Sequence, residues 1–138
     1  MDSCELLIVG GGPAGIAAAH QAGTYGLRTI LLDEQPALGG QYLASHHNPN
    51  HRQFAAEKKA RHLLDSLNRD FVDMRTRTTV WDVSPDLKVG TAGPNGVETI
   101  KAEAIIIATG AREVVLPFPG WTMPGVMTVG GAQLPAKR

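Results

Sequence analysis

Leu6-Leu7-Ile8-Val9-Gly10-Gly11-Gly12-Pro13-Ala14-Gly15 is the stretch whose reading decides the fold. Four apolar residues without polar alternation predict a short strand covered on both faces. Gly10, Gly12 and Gly15 follow with the G-x-G-x-x-G spacing, and an alanine-rich helix is predicted from about Pro13 to near Gly23. Pro13 is tolerated there, because first-turn N–H groups have no partner inside a helix. Gly26 turns the chain into a second apolar run, Thr29-Ile30-Leu31-Leu32, which ends at Asp33-Glu34. Strand, helix and strand make a βαβ unit with parallel strands and a right-handed crossover. This is the setting in which the glycine spacing reads as a dinucleotide fingerprint.

Bulk composition narrows the class. The chain has 138 residues, 43% hydrophobic and 19% charged, enough for one domain with a core spanning 1–138. Thirteen basic residues balance thirteen acidic ones, so nothing argues for nucleic acid or an anionic membrane as partner. The single Cys4 leaves no internal disulfide, CxxC pair or zinc cluster, which points to a cytoplasmic protein. No segment approaches the roughly 18 apolar residues of a membrane span. Asp2 and Glu5 leave these first residues without a cationic n-region, so they are not expected to act as a signal peptide.

Further along, Gln35 to Asn50 reads as a loop, holding Gly39-Gly40-Gln41 and the polar stretch from Ser45 to Asn50. A helix is predicted from about Arg52 to Asn68, with Phe54, Ala56, Ala60, Leu63, Leu64 and Leu67 on one face. From Phe71 to Val83 the period is two. Turns at Ser84-Pro85-Asp86 and Gly93-Pro94-Asn95-Gly96 separate this run from Leu87–Thr91 and Val97–Ile100, which together predict a small antiparallel meander. Ala104 to Ala108 is another uniformly apolar strand, ending at Thr109-Gly110. The tail from Ala111 to Arg138, with four prolines, is read as mostly loop. The expected architecture is α/β: a Rossmann-like parallel sheet with helices on both faces and the meander inserted before the last strand.

A diphosphate requires donors and positive potential without a side chain in the way. The helix start near Gly12 supplies free N–H groups and the positive end of a dipole. Gly10 permits the tight turn, Gly12 lets the backbone reach the phosphates, and Gly15 lets helix and strand pack closely. Asp33, with Glu34 as the fallback, is placed to accept hydrogen bonds from ribose hydroxyls, and its charge disfavours a 2′-phosphate.

At this point the chain resembles a known family. The segments Val9-Gly10-Gly11-Gly12-Pro13-Ala14-Gly15, Asp33-Glu34-Gln35-Pro36 with Gly39-Gly40-Gln41, and Ile107-Ala108-Thr109-Gly110-Ala111 are similar to the FAD-binding half of the two-dinucleotide-binding flavoproteins, the pyridine nucleotide-disulfide oxidoreductase superfamily. The run from Pro117 to Thr128, with Pro119-Gly120-Trp121-Thr122-Met123-Pro124-Gly125 inside it, more narrowly resembles the FAD-containing subunit of opine oxidases, hydrogen cyanide synthase and hydroxyproline or proline dehydrogenases. The resemblance implies FAD as cofactor. It also implies that Gly40 and Gln41 lie along the FAD towards its flavin end, and that Val80 offers backbone hydrogen bonds to the adenine. Ala108, Thr109 and Gly110 suit a cofactor wall, since small residues let a backbone approach a ligand.

The family's chains are longer, and this one stops where a second, NAD-type glycine fingerprint is expected to begin. The resemblance implies part of an FAD-dependent oxidoreductase whose substrate is a small amine or imino acid and whose partner is a second flavoprotein subunit. Two alternatives stay open: an NAD(P)H-dependent flavoprotein reductase, and a truncated non-catalytic module that binds nucleotide or a partner. No residue is named as catalytic. His46, His47 and His51 read as a solvated loop rather than metal ligands, and Arg112 as solvated surface. Trp121 either packs over the flavin region or, as the favoured reading, anchors its loop on the core.

Overall fold

The computed structural model of the protein describes residues 1–43 and 55–132. Its elements run β1 (Asp2–Val9), α1 (Pro13–Thr24), β2 (Thr29–Leu32), α2 (Gly40–Leu43), α3 (Ala55–Asp65), β3 (Val72–Arg75), β4 (Thr79–Val83), β5 (Lys88–Gly93) and β6 (Gly96–Ile107). The predicted helix start at Arg52, the histidines of the 45–51 stretch and the last six residues lie outside the described residues.

The opening βαβ unit forms as predicted. β1 pairs β2 in parallel, with Leu6 opposite Thr29 and Val9 opposite Leu32. α1 ends where its sequence says it should. Gly26 adopts φ +71°, its N–H reaches the Gly23 carbonyl, and the Leu27 N–H reaches the Ala22 carbonyl. That is a Schellman termination, which needs a residue free to enter the left-handed region. Gly23, inside the helix, is a packing glycine: a Cβ there would sit 3.3 Å from a Val72 methyl.

Among the described residues, six strands form one mixed sheet in the order β3-β2-β1-β6-β5-β4. It differs from expectation in three ways. The run from Phe71 to Val83 is two strands, because Arg77 turns left-handed at φ +54°. Its first part, β3, joins β2 in parallel, and only β4 belongs to the meander. Secondly, Val97–Ile100 and Ala104–Ile107 are two ends of the single strand β6, whose beginning pairs β5 antiparallel and whose later part pairs β1 in parallel. Thirdly, helices do not cover both faces among the described residues. Ile16 and Ala19 of α1 share one cluster with Ile8, Leu31, Val72 and Leu67, against which Leu63 and Leu64 of α3 pack. The cluster on the opposite face contains only strand residues, among them Cys4, Leu7, Val9, Ile30, Leu32, Val89 and Ile100.

The sheet covers that second face by folding over it. The Glu5 and Leu6 N–H groups both donate to the Arg28 carbonyl, at 3.0 and 3.3 Å. Such a doubled contact marks a β-bulge, which bends a strand and resets its alternation. Cys4 and Leu7 consequently face the same cluster. Arg75 stands opposite Leu32, itself opposite Val9, yet its guanidinium lies 2.8 Å from Asp2 at the other end of β1. In a straight strand Asp2 would be roughly 23 Å away from that level. The first part of β1, the first part of β6 and the β5–β4 hairpin are therefore bent over the parallel part of the sheet. Leu7, Val89 and Ile100, all of that second-face cluster, are fully buried as a result, each contributing about 1.5–3 kcal/mol.

Candidate dinucleotide site

The strand order reverses between β1 and β6: the chain leaves β1 for β2 on one side, and β6 lies on the other. Ligands of open α/β sheets bind at such a switch point, outside the carboxyl ends of the strands. The glycine turn sits there. Gly10 takes φ +109° and abuts the end of β6: a Cβ on it would lie 2.9 Å from the Thr109 Cα and overlap the Ala108 carbonyl. The Ala108 N–H closes the junction by donating to the Val9 carbonyl at 2.7 Å. The glycine fingerprint and the small Ala108-Thr109-Gly110 segment, far apart in the chain, are brought together.

Gly15 is required by the turn itself, since a Cβ on it would run into the Gly10 carbonyl oxygen. Gly12 is different. Nothing lies within 4 Å of where its Cβ would be, and Pro13 and Ala14 beside it are exposed. Gly12 caps α1 without a side-chain hydrogen bond, Pro13 has no N–H, and the first helical bond is from Ile16 N–H to the Gly12 carbonyl. The Ala14 and Gly15 N–H groups thus have no helical partner. No acidic residue stands in the first turn to neutralise the dipole. An open, uncapped, uncompensated helix start is suited to an anion.

Asp33 is nearly buried, at 9% exposure. Its Oδ2 accepts the Gly11 N–H at 2.6 Å and its Oδ1 accepts the Gln35 N–H at 2.7 Å. Each oxygen keeps a second lone pair, so the carboxylate ties the glycine turn to the end of β2 without exhausting its acceptors. Glu34 is exposed and contacts Gln35 Nε2 at 3.4 Å. The segment after β2 is clamped onto the turn: the Gly39 N–H donates to the Gly11 carbonyl at 2.7 Å, and a Cβ at Gly40 would stand 3.1 Å from the Gly12 Cα. Gln41 is exposed beside them.

Three participants went unread in the sequence. Leu38 packs where a Gly11 side chain would go, and the Arg77 and Thr78 N–H groups donate to the Gln35 and Asp33 carbonyls at 3.0 and 2.9 Å. None carries a sequence signal, because each contact joins separate loops. Val80 follows this docked segment on β4, and its side chain packs against the second-face cluster, which leaves its main chain for any contact with a ligand.

Other singled-out residues lie elsewhere. Burial pushes the Cys4 thiol up from its ordinary range. Arg112 is exposed. Trp121 does not anchor its loop in the core: it is 45% exposed, and no residue from Ala111 to Ala132 is buried. The reason is that this segment leaves the sheet and meets no second layer among the described residues. A crevice of about 480 Å³ opens between the end of β3 and the β5–β6 hairpin, away from the glycine turn, and is lined by Asp2, Asp73, Arg75 and Glu98 among others. Among the described residues no group of His, Cys, Asp and Glu is placed to hold a metal ion, and no helix is long and apolar enough to cross a membrane.

A glycine turn delivering an open helix start to the switch point of a mixed α/β sheet defines a dinucleotide-binding domain. The chain belongs to the pyridine nucleotide-disulphide oxidoreductase family, whose model matches residues 4–134. It is 36% identical to the larger-chain relative from Agrobacterium tumefaciens, the A component of opine oxidase, over 99% of its own length and 29% of that protein's. It is 35% identical to the HcnB component of hydrogen cyanide synthase from Pseudomonas protegens, over 98% of this chain and 30% of the relative. The L-proline dehydrogenase from P. horikoshii superposes with a TM-score of 0.68 at 29% identity, over 89% of this chain and 26% of that one. The chain thus spans less than a third of the length of these relatives. The family is one of oxidoreductases, and the relatives point to a flavin-type cofactor.

Proposed function

We propose that this domain binds FAD and serves an oxidoreductase acting on a small amine or imino acid. The observation that carries the cofactor reading is Gly12: open space above it, with the unpartnered start of α1 behind it, at the switch point of the sheet. The residues fit the group. Gly10, Gly11, Gly12, Pro13, Ala14 and Gly15 form the cradle, with main-chain N–H groups offered to the diphosphate. Asp33 has acceptor capacity left for the ribose hydroxyls, and Glu34 extends the acidic edge. Gly40 and Gln41 flank the same turn, Val80 offers main chain towards the adenine, and Ala108, Thr109 and Gly110 form a low wall along the cofactor. FAD supplies the hydride-accepting chemistry when bound, while the chain's part is to bind and orient it.

The relatives named above support an opine- or proline-like substrate and, for partner, a second flavoprotein subunit. Their greater length supports reading residues 1–138 as the N-terminal portion of an FAD-binding domain, with 111–138 leading towards a second nucleotide domain. One buried thiol and no cysteine pair are in keeping with a cytoplasmic setting.

The test is a visible absorption titration of the purified chain with FAD, followed by ADP and NAD. Saturable FAD binding is expected, weakened about ten-fold or more in Gly12→Val, which is expected to remain folded although valine caps the helix less well than glycine. Absence of any flavin binding by the folded wild-type chain would refute the cofactor reading.

A further inference from the structure

We infer that Glu113 is the clasp that closes residues 113–130 into a loop of fixed shape, a role independent of whether FAD is the cofactor. Its Oε1 accepts the Gly130 N–H at 2.8 Å, seventeen positions along the chain. The carboxylate lies flat against the Gly130 backbone: a Cβ at that position would be 2.9 Å from the carboxyl carbon and 2.9 and 3.0 Å from its two oxygens. A larger residue at 130 would push the carboxyl group aside, a small shift for the end of a flexible side chain.

Thr128 extends the clasp. Its hydroxyl accepts the Gly131 N–H at 3.1 Å, while the Ala132 N–H returns to the Thr128 carbonyl at 2.9 Å. The turn that begins there is held by its own hydroxyl and by an acid from the far side of the loop. The neighbouring Thr128 hydroxyl, foremost, and the Gly130 N–H hold the Glu113 carboxyl below the usual carboxylate range.

Among the described residues nothing else at the base of the loop performs this task. Within it, the Trp121, Met123 and Val126 N–H groups make successive turns onto Phe118, Gly120 and Met123, at 3.0, 3.0 and 3.1 Å. Gly120 and Gly125 turn left-handed at φ +90° and +88°. These bonds shape the tip but do not join its two ends. Burial does not join them either, since Val114, Leu116 and Val129 are 84%, 75% and 86% exposed. A charge-assisted hydrogen bond is among the stronger contacts available to an exposed loop base.

The experiment compares amide hydrogen exchange and limited proteolysis of the 138-residue wild-type chain with Glu113→Ala, Glu113→Gln and Gly130→Ala. In Glu113→Ala the Gly130 amide is expected to exchange about ten-fold faster, and cleavage between residues 114 and 127 to accelerate, while the Leu7, Ile8 and Leu31 amides keep their rates. Gly130→Ala, which keeps both the acid and the N–H and only nudges the flexible carboxyl end, is expected to have a smaller effect than Glu113→Ala. Glu113→Gln keeps an acceptor without the charge and is expected to fall between wild type and Glu113→Ala. Unchanged exchange at Gly130 in Glu113→Ala would overturn the clasp, and so would acceleration spread equally over the core amides.

Discussion

Gly12 and Gly15 sit three positions apart in one turn but leave room for different neighbours. Gly15 makes way for the Gly10 carbonyl, whereas Gly12 borders open space. Replacing a glycine by alanine inside a helix ordinarily gains about 1 kcal/mol, but overpacking against fixed backbone costs about 1–3 kcal/mol. At Gly15 the overlap wins, so Gly15→Ala is expected to lower stability in chemical denaturation; at Gly12 the poorer capping by alanine is set against the lower chain entropy of the unfolded state, so Gly12→Ala is expected to cost less than Gly15→Ala. Equal effects of the two would remove the distinction between a packing glycine and a ligand-facing one. Asp33 supplies a second residue-scale prediction. Asparagine has one acceptor oxygen and an amide that would confront the other N–H donor, so Asp33→Asn is expected to cost about 1–3 kcal/mol in the same experiment. The three spaced glycines and Asp33 were legible because the motif is local. The demand on Gly11 was not, since Leu38 and Asp33 reach it from another loop.

At the scale of elements, what was legible is what is bounded by its own neighbours in sequence. β1, α1 and β2 are marked by the glycine turn, Pro13 and the Gly26 termination. The later strands depend on distant partners. Alternation from Phe71 to Val83 does not show that β3 pairs β2 while β4 pairs β5, and the uniformly apolar Ala104–Ile107 does not show that it continues the strand begun at Gly96. Nor does apolar composition guarantee cover: Ile106 and Ile107 are 39% and 63% exposed. The turn joining β4 to β5 was legible, and its chemistry is testable. Asp86 accepts the Ser84 hydroxyl at 2.6 Å and pairs with Lys88 at 2.7 Å, which together draw its carboxyl down to about 2, with Lys88 the larger influence. A carboxyl lowered on folding contributes fully above its ordinary value of 3.8 and loses that contribution as pH falls towards about 2. An NMR titration of the Asp86 carboxyl carbon is therefore expected to show a midpoint near the lower value, moving up towards the ordinary range in Lys88→Ala. A midpoint unmoved by Lys88→Ala would mean that the ion pair is not what lowers it.

Across the whole molecule, the feature that sequence patterning could not convey is the fold of the sheet onto itself, because it depends on a bulge and on contacts between strands that are not neighbours. Arg75 records that closure. From β3 its guanidinium meets Asp73 at 2.8 Å, Asp2 of β1 at 2.8 Å and Glu98 of β6 at 3.5 Å. Its side chain is 25% exposed against 42–55% for the three acids, so the pairs are partly screened and each is worth well under a buried ion pair. Their sum acts differently from any one of them. Without the cation, three carboxylates would face one another across the seam where the bent half of the sheet meets the parallel half. Arg75→Met keeps the length and packing of the stem while removing every donor. It is expected to cost about 1–2 kcal/mol in urea denaturation, the sum of three partly screened pairs, with the difference from wild type shrinking at high salt. Glu98→Gln in the same background is expected to restore part of the loss, because it removes one of the facing charges. A double-mutant cycle without coupling between Arg75 and Glu98 would show that the apolar cluster beneath holds the seam unaided and that the ion pairs merely decorate it.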